Sequence, residues 1–278
     1  MKLVTFTHNG RRRLGEVAGD EVYSLASTDT MRMQDMIARG ITPGRVSQRF
    51  RLGDVALNAP LRPGKIIAIG RNYAEHARET GNEPPPRPLI FAKFPSAIID
   101  PGAAITWDRA VTKEVDWETE LVVVIGKRAR HVSEADALRH VFGYTVGNDV
   151  SARDLQHRTD GQWTRGKSLD TFCPLGPVIV TPDEIADVQD LGLTTDVNDE
   201  RMQDGNTRDM IFKVAYLIHY CSQMFTLEPA DIIMTGTPSG VGEGRSPKRY
   251  LQDGDLVRCS VEGIGTLENP CVERDSSV

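Results

Sequence analysis

Glu118 and Glu120 stand two residues apart in Trp117-Glu118-Thr119-Glu120-Leu121. On an extended strand that spacing puts both carboxylates on one face, within reach of a common point. Two like charges side by side repel unless a cation lies between them. Taken alone, the pair is ordinary for a solvated strand end. Asp149 changes its weight, because it follows Gly147-Asn148 at the end of a strand-like run, where its carboxylate can join the two glutamates. A local Asx turn is the competing use of such a residue. Three carboxylates without histidine or cysteine make an oxygen-only donor set, suited to magnesium, manganese or calcium and poorly suited to zinc. Three protein ligands also leave open positions for water and a chelating substrate.

His76 and Glu79 form a second constellation, three apart in a stretch with one turn of helical potential, Arg71-Asn72-Tyr73-Ala74-Glu75-His76-Ala77-Arg78-Glu79. A carboxylate touching an imidazole fixes its tautomer and strengthens it as a base, which water activation requires. An isolated H-x-x-E is otherwise a surface pair. Gly81 and Pro84-Pro85-Pro86 follow, in a loop able to close over a site. Lys167, flanked by Gly166 and Ser168, is a solvated lysine by default and a stabiliser of a developing enolate or carboxylate if it faces a pocket. The glycine-rich run Thr235-Gly236-Thr237-Pro238-Ser239-Gly240-Val241-Gly242 lets backbone approach a ligand closely. Gly161 and Gly166-Lys167-Ser168 have the spacing of a phosphate loop, but Thr159-Asp160 precede them with no strand, so none is read there; a G-x-G-x-x-G fingerprint and a G-x-S-x-G elbow are absent.

The elements that must position these groups are mostly strands. Residues 2–7 and 14–25 read as strands around an Asn9-Gly10 turn, and 31–39 as a helix closed by Gly40. A linker at Leu61-Arg62-Pro63-Gly64 divides a small strand-rich unit, 1–60, from a larger one, 63–278. In the larger unit, 65–70, 118–125, 144–148, 231–235, 255–262 and 264–272 are strand-like. Ser133 and Asp136 start a helix near 134–141 in the manner of a capping box, and an apolar stripe predicts the longest helix over 208–223. The sum is a mixed, β-rich α+β fold without βαβ alternation.

Composition narrows the partners. The chain has 278 residues and a formal charge of −6, from 33 basic against 39 acidic side chains. That sign disfavours nucleic acid. Four scattered cysteines with no C-x-x-C pair argue against a thiolate zinc site and for a reduced setting. No apolar run approaches the roughly 20 residues that span a bilayer, and the first residues lack a secretory core, so a cytoplasmic chain is expected.

In order along residues 63–272, GRNYAEHARE, DWETELVVVIG, GNDVSARDLQ, GKSLDTFCPLGP, QDGNTRDMIF, TGTPSGVG and EGIGTLENP strongly resemble the fumarylacetoacetate hydrolase family. The resemblance implies a β-roll with a small N-terminal domain, usually a homodimer, around one Mg2+ or Mn2+. It places the metal ligands on Glu118, Glu120 and Asp149, and a water-activating dyad on His76 and Glu79, carried on a lid. Lys167 takes the place of the active-site lysine, and Arg71, Tyr73, Arg153, Gln156 and Thr237 those of substrate contacts. The implied activity is hydrolysis of a C–C bond in acylpyruvates or β-diketo acids, such as fumarylpyruvate or fumarylacetoacetate, through a chelated enolate. The alternatives on the same site are isomerisation of 5-carboxymethyl-2-hydroxymuconate or 2-hydroxyhepta-2,4-diene-1,7-dioate type compounds from aromatic catabolism, and oxaloacetate decarboxylation. A non-catalytic binding homologue is the more remote reading. Two departures from the family pattern, Ala230 and Asn198-Asp199, stand where relatives favour glycine and must accept left-handed backbone.

Overall fold

The structure, a computed structural model, describes residues 1–26, 31–159 and 161–275; Asp160 and the last three positions of the 63–278 unit lie outside that description. Its spine is a mixed sheet. Ten strands run in the spatial order Arg45–Arg51, Glu21–Leu25, Arg11–Ala18, Lys2–His8, Cys173–Val180, Val141–Asn148, Thr119–Ile125, Ile232–Met234, Ile66–Gly70 and Leu89–Lys93. A second sheet orders Glu200–Asn206, Gly192–Val197, Leu256–Val261, Gly265–Arg274 and Ile105–Asp108. The strand Thr119–Ile125 is buried along its whole length, as a strand covered on both faces should be. Lys2–His8 pairs with Cys173–Val180 through Lys2↔Val180 and Leu3↔Ile179, so the first strands extend the central sheet.

Several elements differ from the expectation in instructive ways. The run 14–25 is two strands, because Gly19, at φ 62°, turns the chain after Ala18. The long helix covers Val214–Met224 and begins later than the apolar stripe implies. Tertiary hydrogen bonds hold the preceding residues out of it. Ile211 N donates to the Asn72 carbonyl (2.8 Å), and the Asn72 side chain both accepts from Phe212 N (2.8 Å) and donates to Phe212 O (3.0 Å). Residues 210–213 therefore anchor the segment that leads to His76. Cys173–Val180 escaped the sequence reading because Pro174 and Pro177 make it look unlike a strand. The two departures behave as required: Asn198, Asp199 and Ala230 have φ of 50°, 67° and 71°.

Among the described residues no helix is long and apolar enough to cross a membrane.

Candidate active site

Strand register assembles the carboxylates. Thr119 lies opposite Asn148 and Glu120 opposite Gly147, so the residue after this ladder, Asp149, arrives beside Glu118. Two bonds lock the junction: Asp149 N donates to the Glu118 carbonyl, and Glu118 N donates to Asn148 Oδ1, both at 2.9 Å. Glu118, Glu120 and Asp149 are 4 %, 1 % and 0 % exposed, and one carboxylate oxygen from each lies within 4.8 Å of the other two. The donor set fits a hard divalent cation, being all oxygen, convergent and removed from bulk water.

The electrostatics of the trio suit a cation. Burial, with the neighbouring charges of Asp149 and Glu118, pushes the Glu120 carboxyl well above the ordinary glutamate range. Gly236 N, 2.8 Å from Glu120 Oε2, offsets this only in part. At Glu118 burial acts in the same direction, but Lys167 and Arg153 outweigh it and hold that carboxyl below its ordinary value. The trio is thus under-compensated at Glu120.

Fixed cations surround the other two carboxylates. Lys167 Nζ bridges Glu118 Oε2 (2.8 Å) and Asp149 Oδ2 (2.9 Å), and its ammonium form is favoured because these carboxylates overcome the cost of burial. Arg153 reaches Glu118 Oε1 (2.7 Å) and Asp116 Oδ2 (2.8 Å) through Nη2, and Gln156 Oε1 (3.0 Å) through Nη1. Asp116 also accepts from the backbone N–H groups of Gly242 and Glu243, at 2.7 and 3.0 Å.

Lys93 was not anticipated. Its fully buried ammonium donates to Asp149 Oδ1 (2.6 Å) and also to the Lys167 carbonyl. A lysine inside Leu89-Ile90-Phe91-Ala92-Lys93 was the available signal, since buried lysines require a partner. Lys93→Met is expected to lower the stability of metal-free protein by about 3 kcal/mol, the low end for a broken buried pair because Lys167 still contacts Asp149. Urea unfolding reads this directly, and an unchanged midpoint would show that the pair does not support the fold.

The dyad is formed. His76 Nδ1 lies 2.8 Å from Glu79 Oε1 on the short helix Ala74–Glu79, and Gly240 N donates to Glu79 Oε2 at 2.8 Å. With Nδ1 engaged as an N–H donor to the carboxylate, Nε2 is the nitrogen left for a substrate or water. The glycine-rich run approaches from the other side. Gly236, at φ 97°, leaves no room for a Cβ, which would stand 2.7 Å from that of Asn72. Thr237 Oγ1 donates to the Thr119 carbonyl and accepts from Gln203 Nε2, both at 2.8 Å.

These pieces meet in one cleft, whose lining includes Arg71, His76, Glu118, Arg153, Gln156, Lys167 and Thr237. His157, Trp163 and Phe91, which the sequence reading did not single out, also line it. Glu120 and Asp149 lie beside Glu118 beneath the cleft, and Glu79 sits behind His76. Tyr73 is the exception among the expected substrate contacts. It is 2 % exposed, bridges to Met210 through its backbone and does not line the cleft.

Fold and site together define a metal-site enzyme of the fumarylacetoacetate hydrolase type. The family model described as fumarylacetoacetate (FAA) hydrolase C-terminal matches residues 65–272, and the chain belongs to that family. It is 48 % identical over 225 residues, 79 % of this chain and 70 % of the relative, to oxaloacetate tautomerase FAHD2B, mitochondrial, of Bos taurus. Among solved structures, fumarylacetoacetate hydrolase from Exiguobacterium antarcticum matches with TM-score 0.88 and 40 % identity, covering 99 % of this chain and 100 % of that one. A 2-hydroxyhepta-2,4-diene-1,7-dioate isomerase from Mycobacterium marinum matches with TM-score 0.83 and 37 % identity, covering 99 % of both chains. Members of the family use divalent metals. The relatives bear tautomerase and isomerase names as well as a hydrolase name, so the enol chemistry carried as an alternative is better supported than hydrolysis.

Proposed function

We propose that this chain is a keto–enol tautomerase of short 2-oxo acids, with oxaloacetate as the leading substrate. The observation that carries the reading is the carboxylate-paired base His76, held by Glu79, facing the same cleft as the ammonium of Lys167 and Glu118 of the buried carboxylate trio. The likeness to an oxaloacetate tautomerase supports it.

Tautomerisation moves one proton between C3 and the C2 oxygen. In the keto-to-enol direction the C3 proton passes to Nε2 of His76. The C–H electron pair becomes the C2=C3 bond, and negative charge gathers on the C2 oxygen, to which a proton is returned. Glu79 keeps His76 in the tautomer that presents a lone pair at Nε2 and stabilises the imidazolium once formed. Lys167 remains an ammonium and supplies positive potential without itself acting as a base. Arg153, fixed by Asp116 and Gln156, holds Glu118 in place. Mg2+ or Mn2+, held by Glu118, Glu120 and Asp149, would supply Lewis-acid stabilisation of the enolate charge.

The formed dyad favours a second reading, C–C hydrolysis of acylpyruvates, in which His76 activates water instead. An ultraviolet assay of oxaloacetate enol decay beside an acetylpyruvate cleavage assay, each with Mn2+ and with a chelator, separates the two. The tautomerase reading expects metal-dependent loss of the enol absorbance and negligible acetylpyruvate cleavage. Rapid acetylpyruvate cleavage with no effect on the enol would replace it with the hydrolase.

A further inference from the structure

The cations lining the cleft are not equally committed. Lys167 is held by Glu118 and Asp149, and Arg153 by Asp116 and Glu118. Arg71 is different. Among the described residues it has no carboxylate partner, and its guanidinium rests on the ring of Trp163, 5.2 Å from the centroid. It is half-buried, and burial alone lowers its affinity for a proton from the ordinary arginine value. A desolvated, unpaired guanidinium in a cleft is a built receptor for an anion, and its planar fork favours a carboxylate.

The shelf beneath it is constructed in detail. Trp163 packs over Gly70, where a Cβ would stand 2.4 Å from the indole ring. Phe91 meets the same ring edge-on at 5.4 Å, and His157 does so at 5.8 Å. Arg71 itself takes left-handed backbone, φ 55°, directly after Gly70. Strain of this kind in a non-glycine residue persists where the surroundings fix it. Trp163 and Lys167 are the first and last residues of one short helix, Trp163–Lys167. One turn of helix separates them by about 6 Å along its axis. The helix thus ties the shelf under Arg71 to the ammonium that contacts Glu118 and Asp149, and Arg71, Trp163 and Lys167 all line the one cleft.

We infer that Arg71, held on the Trp163 shelf, is the receptor for the distal carboxylate of a short 2-oxo dicarboxylate, and that it selects dicarboxylates over monocarboxylates at this site. The inference rests on the tautomerase reading for the placement of the 2-oxo acid end. Its chemistry is that of a bidentate guanidinium–carboxylate pair in a site shielded from water. Arg71 is a specificity residue and takes no part in the proton transfer.

Oxaloacetate and 2-oxobutyrate provide the comparison, since they differ in carrying a carboxylate or a methyl group on C3. With Mn2+-loaded protein, Arg71→Met is expected to raise KM for oxaloacetate about 10- to 100-fold with little change in kcat, and to raise KM for 2-oxobutyrate far less. Arg71→Lys, which keeps the charge but loses the fork, should recover part of the loss. Methionine is no more strained than arginine at this φ, and an unchanged urea midpoint checks that the variant folds. Equal losses on both compounds, or none on oxaloacetate, would overturn the assignment. If wild-type protein tautomerises neither compound, the functional reading fails by itself, and calorimetric binding of the same two compounds to Mn2+-loaded protein still decides the subsite. A preference for oxaloacetate that vanishes in Arg71→Met upholds it, and no preference in wild type removes it.

Discussion

Glu120→Gln is expected to weaken Mn2+ binding more than about 100-fold, since residues that merely hydrogen-bond a metal ligand are already worth about 10- to 100-fold. The same substitution should raise the stability of metal-free protein near neutral pH. Glu120 is where the uncompensated charge of the site collects: burial, Asp149 and Glu118 all favour its protonated form. A carboxyl whose affinity for protons is higher folded than unfolded adds stability below its unfolded value, near 4.5. That contribution fades as pH rises through the higher folded value, so ionisation at neutral pH works against the metal-free fold. Glutamine removes the charge and keeps one oxygen to accept from Gly236 N. The urea midpoint of metal-free Glu120→Gln should therefore exceed that of wild type at pH 7, and the gap should close toward pH 4. Saturating Mn2+ should reverse the order, because only wild type gains the binding energy. A variant that binds Mn2+ like wild type would remove Glu120 from the ligand set.

His76→Ala should leave Mn2+ affinity unchanged and lower the metal-dependent rate by about 10²- to 10⁴-fold, the usual worth of a positioned general base. The separation is expected because His76 touches Glu79, while the three carboxylates are held by the ion pairs of Lys93, Arg153 and Lys167 and by the N–H of Gly236. Glu79→Gln keeps the side-chain shape yet no longer stabilises an imidazolium, so its loss should fall between wild type and His76→Ala. Calorimetric Mn2+ titrations beside rate measurements decide the matter. Full activity in His76→Ala would leave the proton transfer to another group.

Much of this site was legible in the sequence. The E-x-E spacing on a strand, Asp149 after a turn and the H-x-x-E pair each state a geometry, and register and helix pitch deliver it. The parts that stayed hidden depend on contacts between distant segments. Lys93 reaches Asp149 across 56 positions, and nothing local to either residue marks the pairing. Asp116 was not singled out, and only the fold brings Arg153 to it. The start of the long helix was misplaced for a similar reason, since Asn72 takes the backbone groups of residues 211–212 from 140 positions away. Short strands such as Gly192–Val197 and the charged Arg45–Arg51 are stabilised by their neighbours in the sheet more than by their own pattern.

The most direct test of the proposed chemistry is deuterium exchange at C3 of oxaloacetate, followed by NMR in heavy water with Mn2+ at traces low enough to leave the resonances sharp, or with Mg2+. Wild-type protein should accelerate exchange well beyond the metal alone while oxaloacetate persists without C–C cleavage, and His76→Ala should return exchange to the metal-only rate. C–C cleavage products appearing without enzyme-dependent exchange, or undiminished exchange in His76→Ala, would contradict proton transfer by His76 as the function of this site.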